Sequence, residues 1–229
     1  MTKVTAIVSA YYAEDYLMDR ITNLKAQTAE PDIIVVCQHG SKEHDLVIGC
    51  GGVDILTTKD VPTIYDAWNM AISKAQTPYI TNANCDDRHY PGALERLANE
   101  LDMRDRVGVA FSDVDRQEGY NKPLHWKRVS PGSSLKQRCF IGPMPMWRRS
   151  LHDEHGMFDH TLTVVGDYDF WLRLAANGIE FVYIGEPLGC YVARSDSLEH
   201  RDKRVTMDEK HMVILRHKDD AQEAVIWHA

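Results

Sequence analysis

Between Val4 and Ser112 the apolar residues follow two alternating rhythms. Short β-rich runs at Val4–Ser9, Asp32–Cys37, Asp54–Thr58, Tyr79–Ala83 and Val107–Ser112 predict strands. The run Asp-Ile-Ile-Val-Val-Cys is apolar enough to be buried on both faces of a parallel sheet. Between the runs, apolar residues recur at helical spacing. Leu17, Ile21 and Leu24 form one stripe; Ile64, Trp68, Ala71, Ile72 and Ala75 form a second; Leu94, Leu97, Ala98 and Leu101 form a third. Pro91 is expected in the first turn of the third helix, where its missing N–H costs nothing. Strands alternating with helices predict an α/β fold around a doubly wound, largely parallel sheet, with ligands beyond the carboxyl ends of the strands. Polar clusters directly follow Ser9, Cys37 and Ala83, so functional residues are expected there.

The second half is less regular. Residues 115–138 carry Gly119, Pro123, Pro131 and Gly132 and predict loops with a hairpin. A helix is predicted from near Asp167 to just before Gly178, with Phe170, Trp171, Leu174 and Ala175 on one side. Two strands, Glu180–Ile184 and Leu188–Ala193, are expected around Gly185-Glu186-Pro187, and the charged tail after Arg201 is expected to be helical. With no repeat and no long linker, the 229 residues predict one domain.

The net charge of −8 argues against a general nucleic-acid binder, so no nucleic-acid partner is expected. The N-terminus lacks the apolar core of a signal peptide, and no run reaches the roughly 18 to 20 apolar residues that a membrane span requires. Cys37, Cys50, Cys85, Cys139 and Cys190 are odd in number and scattered, which suits reduced thiols in a cytoplasmic protein. Eleven histidines form no ligand set at zinc spacing and read as surface residues. Trp126, Trp147 and Trp227 read as core or interface residues.

The strongest chemical signal is Asn84-Cys85-Asp86-Asp87, placed after a strand. Adjacent carboxylates repel unless positive charge sits beside them, and a divalent ion bridging a diphosphate would supply it. The plain alternative is a solvated loop that caps the next helix. In Gly166-Asp167-Tyr168-Asp169-Phe170-Trp171-Leu172-Arg173, Asp167 is either a helix cap or a general base. In Val8-Ser9-Ala10-Tyr11-Tyr12, small residues precede an aromatic ring on which a flat base can stack, although surface tyrosines in a turn explain the pattern as well.

Taken in order, Ser9–Tyr16, Ile64-Tyr65-Asp66-Ala67-Trp68-Asn69, Asn84–Asp87, Gly142-Pro143-Met144-Pro145-Met146-Trp147-Arg148-Arg149-Ser150-Leu151 and Gly166–Arg173 resemble a family-2 glycosyltransferase, from Val4 to about Ser197. The resemblance implies a GT-A fold, a Rossmann-like, mostly parallel sheet flanked by helices. It implies a nucleotide-binding half (1–113), an acceptor and catalytic half (114–200) and a helical tail (201–229). It also implies transfer, with inversion, of a sugar from a nucleotide-diphosphate donor to a hydroxyl acceptor, in surface polysaccharide or lipopolysaccharide synthesis. Carried over by position, Ser9, Ala10, Tyr11 and Gln38 hold the nucleotide base, and Asp66 and Asn69 border its pocket. Asn84-Cys85-Asp86 takes the place of the D-x-D metal motif. Asp86 would ligate Mn2+ or Mg2+, and Asn84 would face the ribose or a metal-bound water. Asp167 matches the catalytic base, Trp171 walls the acceptor, and Arg173 meets phosphate or orients the base. Arg194 and His200 fall where the family closes over the diphosphate, and His200 is a second candidate metal ligand.

Three positions depart from the family pattern. Asn84 replaces the first acid of the metal motif; Gln38-His39-Gly40-Ser41 replaces paired aspartates and weakens the expectation of a UDP-sugar; Gly166 replaces a frequent glutamate. The competing readings are a non-catalytic sugar-nucleotide binding protein and a nucleotidyltransferase. Against the second, Ser9–Asp15 has no glycine, lysine or arginine with which to cradle phosphate. A carbohydrate or glycolipid acceptor is expected, the latter placing the protein at the inner membrane face by peripheral contact, and a homodimer is left open.

Overall fold

A computed structural model describes residues 3–118, 122–130, 133–194, 197, 202–220 and 223–229. A ten-stranded sheet runs through the molecule. The first four long runs form β1 (Val4–Ala10), β2 (Asp32–Gln38), β3 (Asp54–Thr58) and β4 (Tyr79–Asn82), paired in parallel in the order β4-β1-β2-β3. Connecting them are α1 (Leu17–Lys25), α2 (Lys42–Val47) and α3 (Ile64–Lys74). After β4 come the short β5 (Arg88–His89), α4 (Ala93–Met103) and β6 (Val107–Glu118). The chain continues through β7 (Leu124–Trp126), β8 (Met146–Arg148), α5 (Leu151–His155), α6 (Gly166–Ala176), β9 (Glu180–Ala193), α7 (Lys203–Arg216) and β10 (Ile226–His228). Strand β8 lies antiparallel between β4 and β6, while β9 and β10 extend the sheet in parallel beyond β6.

Alternate residues of the central strands enter two cores, as the pleat requires. Ile7, Ile34 and Val36 join α3, α6 and an aromatic cluster of Trp147, Phe158, Phe170 and Trp171. Ala6, Val8, Val35 and Cys37 join α1 and α4 on the other face. Burial on both faces is what the apolar runs predicted. No helix among the described residues is long and apolar enough to cross a membrane.

Several elements differ from the sequence expectation. Pro91 precedes α4 rather than opening it: Gly92, at φ 76°, takes the N-cap position in a left-handed conformation. The two strands expected around Gly185-Glu186-Pro187 are one strand, β9, which pairs with β6 across register shifts near Asp113↔Pro187. A bulge absorbs a proline that has no N–H for the ladder. Strand β6 also runs past Ser112 to Glu118 and pairs with β7, forming the expected hairpin. The tail carries β10 as well as a helix, and Trp227 donates to Glu180 Oε2 at 2.7 Å. Pro143 and Pro145 just before Met146 conceal β8, whose three residues are too few to show a period.

Close approach of β5 to β9 needs Gly189. A Cβ there would lie 2.5 Å from the Arg88 carbonyl and 2.7 Å from Met144 Cε. Gly189→Ala should therefore cost about 1–3 kcal/mol through overpacking, read as a lowered urea midpoint, whereas an unchanged midpoint would show that β5 can move away freely.

Candidate active site

The loop after β4 leaves the carboxyl end of the parallel strands, where an α/β sheet has room for a ligand. Its two carboxylates have opposite environments. Asp87 is fully buried; its Oδ1 accepts the Val192 N–H of β9 at 3.1 Å and its Oδ2 accepts Asn84 Nδ2 at 3.1 Å. Burial, and then the neighbouring Asp86 charge, push its carboxyl up to about 7, opposed by the Arg20 guanidinium. Arg20 is itself fully buried, donates to Asn23 Oδ1 at 2.7 Å and lies 2.9 Å from His89 Nδ1. Burial lowers the Arg20 pKa only to about 10, so a fixed positive charge stands behind the loop at neutral pH.

Asp86 projects the other way. Its side chain is 25% exposed and lies 3.8 Å from Arg194 Nη1. Burial raises its pKa, partly offset by Arg194, Arg88 and Arg20. The Arg194 guanidinium stacks over the Tyr16 ring at 4.6 Å, so its aim at Asp86 is set by an aromatic face. Cys85 turns inward, its thiol donating to the Ser9 carbonyl at 3.6 Å, and burial pushes it up to about 12. That contact joins the acidic loop to the end of β1.

Beyond β1 and β2 lies a cleft of about 190 Å3 lined by Tyr11, Tyr12, Gln38, Ser41, Lys42 and Glu43. Ala10 is fully buried, Ser9 and Tyr11 are half-buried, and the Tyr11 hydroxyl lies 3.0 Å from Thr58 Oγ1. Tyr12, at φ 55°, is 74% exposed. Gln38 Nε2 donates to the Lys59 carbonyl at 3.1 Å, and buried Glu43 accepts the Ala13 N–H at 2.8 Å, closing the turn after β1. Ser9, Ala10, Tyr11, Gln38, Cys85, Asp86 and Arg194 thus gather around the carboxyl ends of β1, β2 and β4.

Asp167 sits in the first turn of α6, half-buried. Its Oδ1 accepts the Tyr168 N–H at 2.8 Å and the Tyr65 hydroxyl at 3.1 Å. Tyr65 is at the start of α3; burial, then the Asp167 charge, push its phenol well above the ordinary value, so it stays a neutral donor. Gly166 is what allows the approach, because a Cβ there would lie 2.8 Å from the Tyr65 ring. A glutamate at 166 would displace the tyrosine. The start of α3 follows β3, which places Asp167 on the same edge of the sheet as the acidic loop.

Other expected site residues are engaged elsewhere. Asp66 closes a capping box with Thr63 and lies 3.1 Å from His160 Nδ1. Asn69 donates to the Phe158 carbonyl at 2.9 Å and accepts its N–H at 3.1 Å, fastening that loop to α3. Asn84 donates its amide N–H to Asp87 Oδ2 at 3.1 Å. Trp171 walls no acceptor cleft: it is 1% exposed and meets Trp147 edge-on at 5.5 Å in the core. Arg173 is committed within the protein: its guanidinium donates to the His155 and Met157 carbonyls at 2.6 and 2.9 Å and lies 3.5 Å from Asp169. His200 lies outside the described residues. Sequence reasoning missed Tyr65, Arg20 and Glu43 as supports; buried charge and a buried hydroxyl carry no local pattern.

Among the described residues, no group of three or more His, Cys, Asp or Glu side chains could hold a metal ion. Both Asp87 oxygens are engaged, so from this loop Asp86 is the carboxylate that faces outward.

Residues 5–158 match the model of the family described as Glycosyl transferase family 2. The succinoglycan biosynthesis protein ExoU of Rhizobium meliloti (strain 1021) is 25% identical, over 99% of this chain and 74% of that protein. An uncharacterized glycosyltransferase of Rickettsia felis is 24% identical over 75% of this chain, which spans 31% of its length. Among solved structures, S. aureus TarS 1–349 in complex with UDP superposes with a TM-score of 0.73 at 14% identity, over 94% of this chain and 65% of that one. Mannosyltransferase PcManGT from Pyrobaculum calidifontis, in complex with GDP-Man and Mn2+, gives 0.70 at 13%, over 94% and 64%. The chain therefore spans just under two thirds of each of these two solved chains.

Asp87 makes a pH-dependent contribution whose sign follows from its raised pKa. The native state holds this proton more tightly than the unfolded chain, whose aspartate titrates near ~3.9. Its stabilisation is complete below about pH 4 and lost as pH rises through about 7. Asp87→Asn should flatten that part of the profile when urea midpoints are compared from pH 4 to 8; parallel profiles for the two proteins would contradict the assignment.

Proposed function

Because the chain belongs to glycosyl transferase family 2, we propose that it transfers a sugar from a nucleotide diphosphate to an acceptor hydroxyl with inversion, Asp167 taking the hydroxyl proton. Its fold is GT-A, and it is a glycosyltransferase. The observation that carries the mechanistic reading is the contrast between two carboxylates on one edge of the sheet. Asp86 faces outward toward Arg194, and Asp167 is held through Oδ1 by a buried phenol and a backbone amide.

The donor base would enter the cleft between Tyr11 and Gln38, with Ser9 and Ala10 offering backbone groups. Arg194 would meet the diphosphate from the side of β9. A divalent ion, Mn2+ or Mg2+, fits this arrangement. A hard cation prefers carboxylate oxygens, and Asp86 offers the outward carboxylate of this loop. Asp86 would hold it, and bound there it stabilises the charge that develops on the leaving diphosphate. The acceptor oxygen attacks the anomeric carbon from the opposite face, forming the new C–O bond as the bond to the diphosphate breaks. Asp167 receives the proton. One displacement inverts the anomeric centre.

Support for a nucleotide-sugar donor comes from neighbours solved with UDP, UDP-GlcNAc and GDP-Man. The proposed donor is a UDP-sugar, with Gln38 standing where the family often has a carboxylate. The succinoglycan biosynthesis relative supports a role in surface polysaccharide synthesis, with a carbohydrate or glycolipid acceptor met at the cytoplasmic membrane face. On this reading residues 1–113 serve the donor and 114–200 the acceptor, within one unit of 229 residues.

Asp167→Asn should lower transfer by about 10²–10⁴-fold, the contribution of a positioned base, while calorimetry finds donor affinity intact. Transfer within tenfold of wild type would remove Asp167 from the base role. Asp86→Ala should abolish the Mn2+-dependent part of donor affinity; if added Mn2+ tightened donor binding equally in both proteins, Asp86 would not be the metal ligand.

A further inference from the structure

Helix α6 begins without a local cap. Its N-cap residue is Val165, whose side chain cannot accept a hydrogen bond. The turn that leads into the helix, residues 163–165, is instead held from α7. Glu209, on α7, takes the Thr163 N–H on Oε1 at 2.7 Å and the Val164 and Val165 N–H groups on Oε2 at 2.8 and 3.3 Å. Three consecutive amides converging on one carboxylate make charge-assisted bonds, the strong kind. They also set a negative charge against the positive end of the α6 dipole.

The grip continues to Asp167. The Tyr65 hydroxyl lies 2.8 Å from the Val164 carbonyl and 3.1 Å from Asp167 Oδ1. A phenol has one proton, so these two acceptors share it. Where the Val164 peptide sits therefore decides how fully the phenol serves Asp167, and Glu209 holds that peptide by its N–H. The apolar anchorage of α7 is small: Val213 is buried in the core and Ile214 packs against it. Other ties are polar. Arg216 Nη1 and His217 Nε2 lie 2.7 and 3.1 Å from buried Asp169 of α6, and Arg216 Nη1 donates to Asp159 at 3.0 Å.

We infer that Glu209 and Tyr65 are positioning residues for the Asp167 carboxylate: α7 clamps the 163–165 turn, and the clamped turn, through the Tyr65 phenol, fixes the plane in which Asp167 meets its substrate. This inference rests on the reading of Asp167 as the base. Neither residue touches the reacting atoms. The clamp acts on orientation, so it should affect turnover and leave nucleotide binding alone.

The test compares Glu209→Ala, Glu209→Gln, Tyr65→Phe and Asp167→Asn with wild type, with Met207→Ala as a control on an exposed position of α7. Amide hydrogen exchange at residues 163–165 needs no substrate. It should rise at least about tenfold in Glu209→Ala as the amides lose their acceptor, and stay near wild type in Met207→Ala. Turnover is read as nucleoside diphosphate released from UDP-glucose, UDP-GlcNAc and GDP-mannose, and binding as the Kd for UDP and GDP. A misplaced reacting group costs up to about 100-fold, so kcat in Glu209→Ala and Tyr65→Phe should fall about 10- to 100-fold with Kd unchanged. Glu209→Gln, which keeps an acceptor oxygen, should recover most of the loss. Unchanged exchange in Glu209→Ala overturns the clamp. Increased exchange with kcat within twofold of wild type shows a turn that does not position the base, and also overturns the proposal. Full turnover in Asp167→Asn instead sinks the base assignment itself, so the two failures are told apart.

Discussion

The acceptance of the Val192 N–H by buried Asp87 fixes the arrangement of this molecule's candidate site. A carboxylate without solvent is tolerable only with donors and a counter-charge. Asn84 and Val192 supply the donors, and Arg20 supplies the charge from behind. With one aspartate drawn inward, the adjacent one must project outward, and the backbone of β9 is drawn over the loop. Arg194, two residues beyond Val192, thereby comes to lie beside Asp86. The outward carboxylate and its cationic partner are both consequences of one inward contact.

The framework was legible because its signals are local. Runs such as Asp-Ile-Ile-Val-Val-Cys announce a strand covered on both faces, and the stripe from Ile64 to Ala75 announces the helix that covers one of them. What stayed hidden depends on pairing across long sequence distances. Strand β8 is three residues preceded by two prolines, Pro143 and Pro145, and fills the slot between β4 and β6. The interruption at Gly185-Glu186-Pro187 looked like a chain break; the partner strand β6 absorbs it by shifting register. Pro91 marked the start of α4 to within two residues, but Gly92 took the cap, since its left-handed conformation lets the chain turn into the helix.

The site was less legible, for a different reason. Asp66, Asn69, Asn84 and Arg173 are polar residues in motif positions, and in each case the fold engages the polar atoms. Asp66 caps, Asn69 brackets Phe158, Asn84 serves Asp87, and Arg173 holds two carbonyls. A motif gives residue type and place, but not the direction of a side chain. Trp171 makes the point with an apolar residue: helical spacing put it beside Phe170 and Leu174, which is the pattern of a core, and the core is where it lies. Tyr65 and Glu209 were invisible because their partners lie far away in the chain, and nothing in their neighbours announces a buried phenol or a carboxylate holding a remote turn.

The part of the chain that matches the family model ends at residue 158, and this division has a physical counterpart. Within it lie the cleft beyond β1 and β2 and the acidic loop. Outside it lie Asp167, β9 with Val192 and Arg194, and α7 with Glu209. The matched part is built around a buried sheet, whose geometry is dictated by backbone pairing and apolar packing and so tolerates much change of sequence. The remainder shares that sheet and core through β9, Phe170, Trp171 and Phe181, but places its candidate site residues by individual polar contacts: a carboxylate on three amides, a guanidinium on one aspartate, an N–H on another. Such contacts are geometrically demanding and are lost by single substitutions, because removing one partner strands the other. A fold of this kind can thus vary those contacts one at a time without losing the pleated framework on which they are mounted.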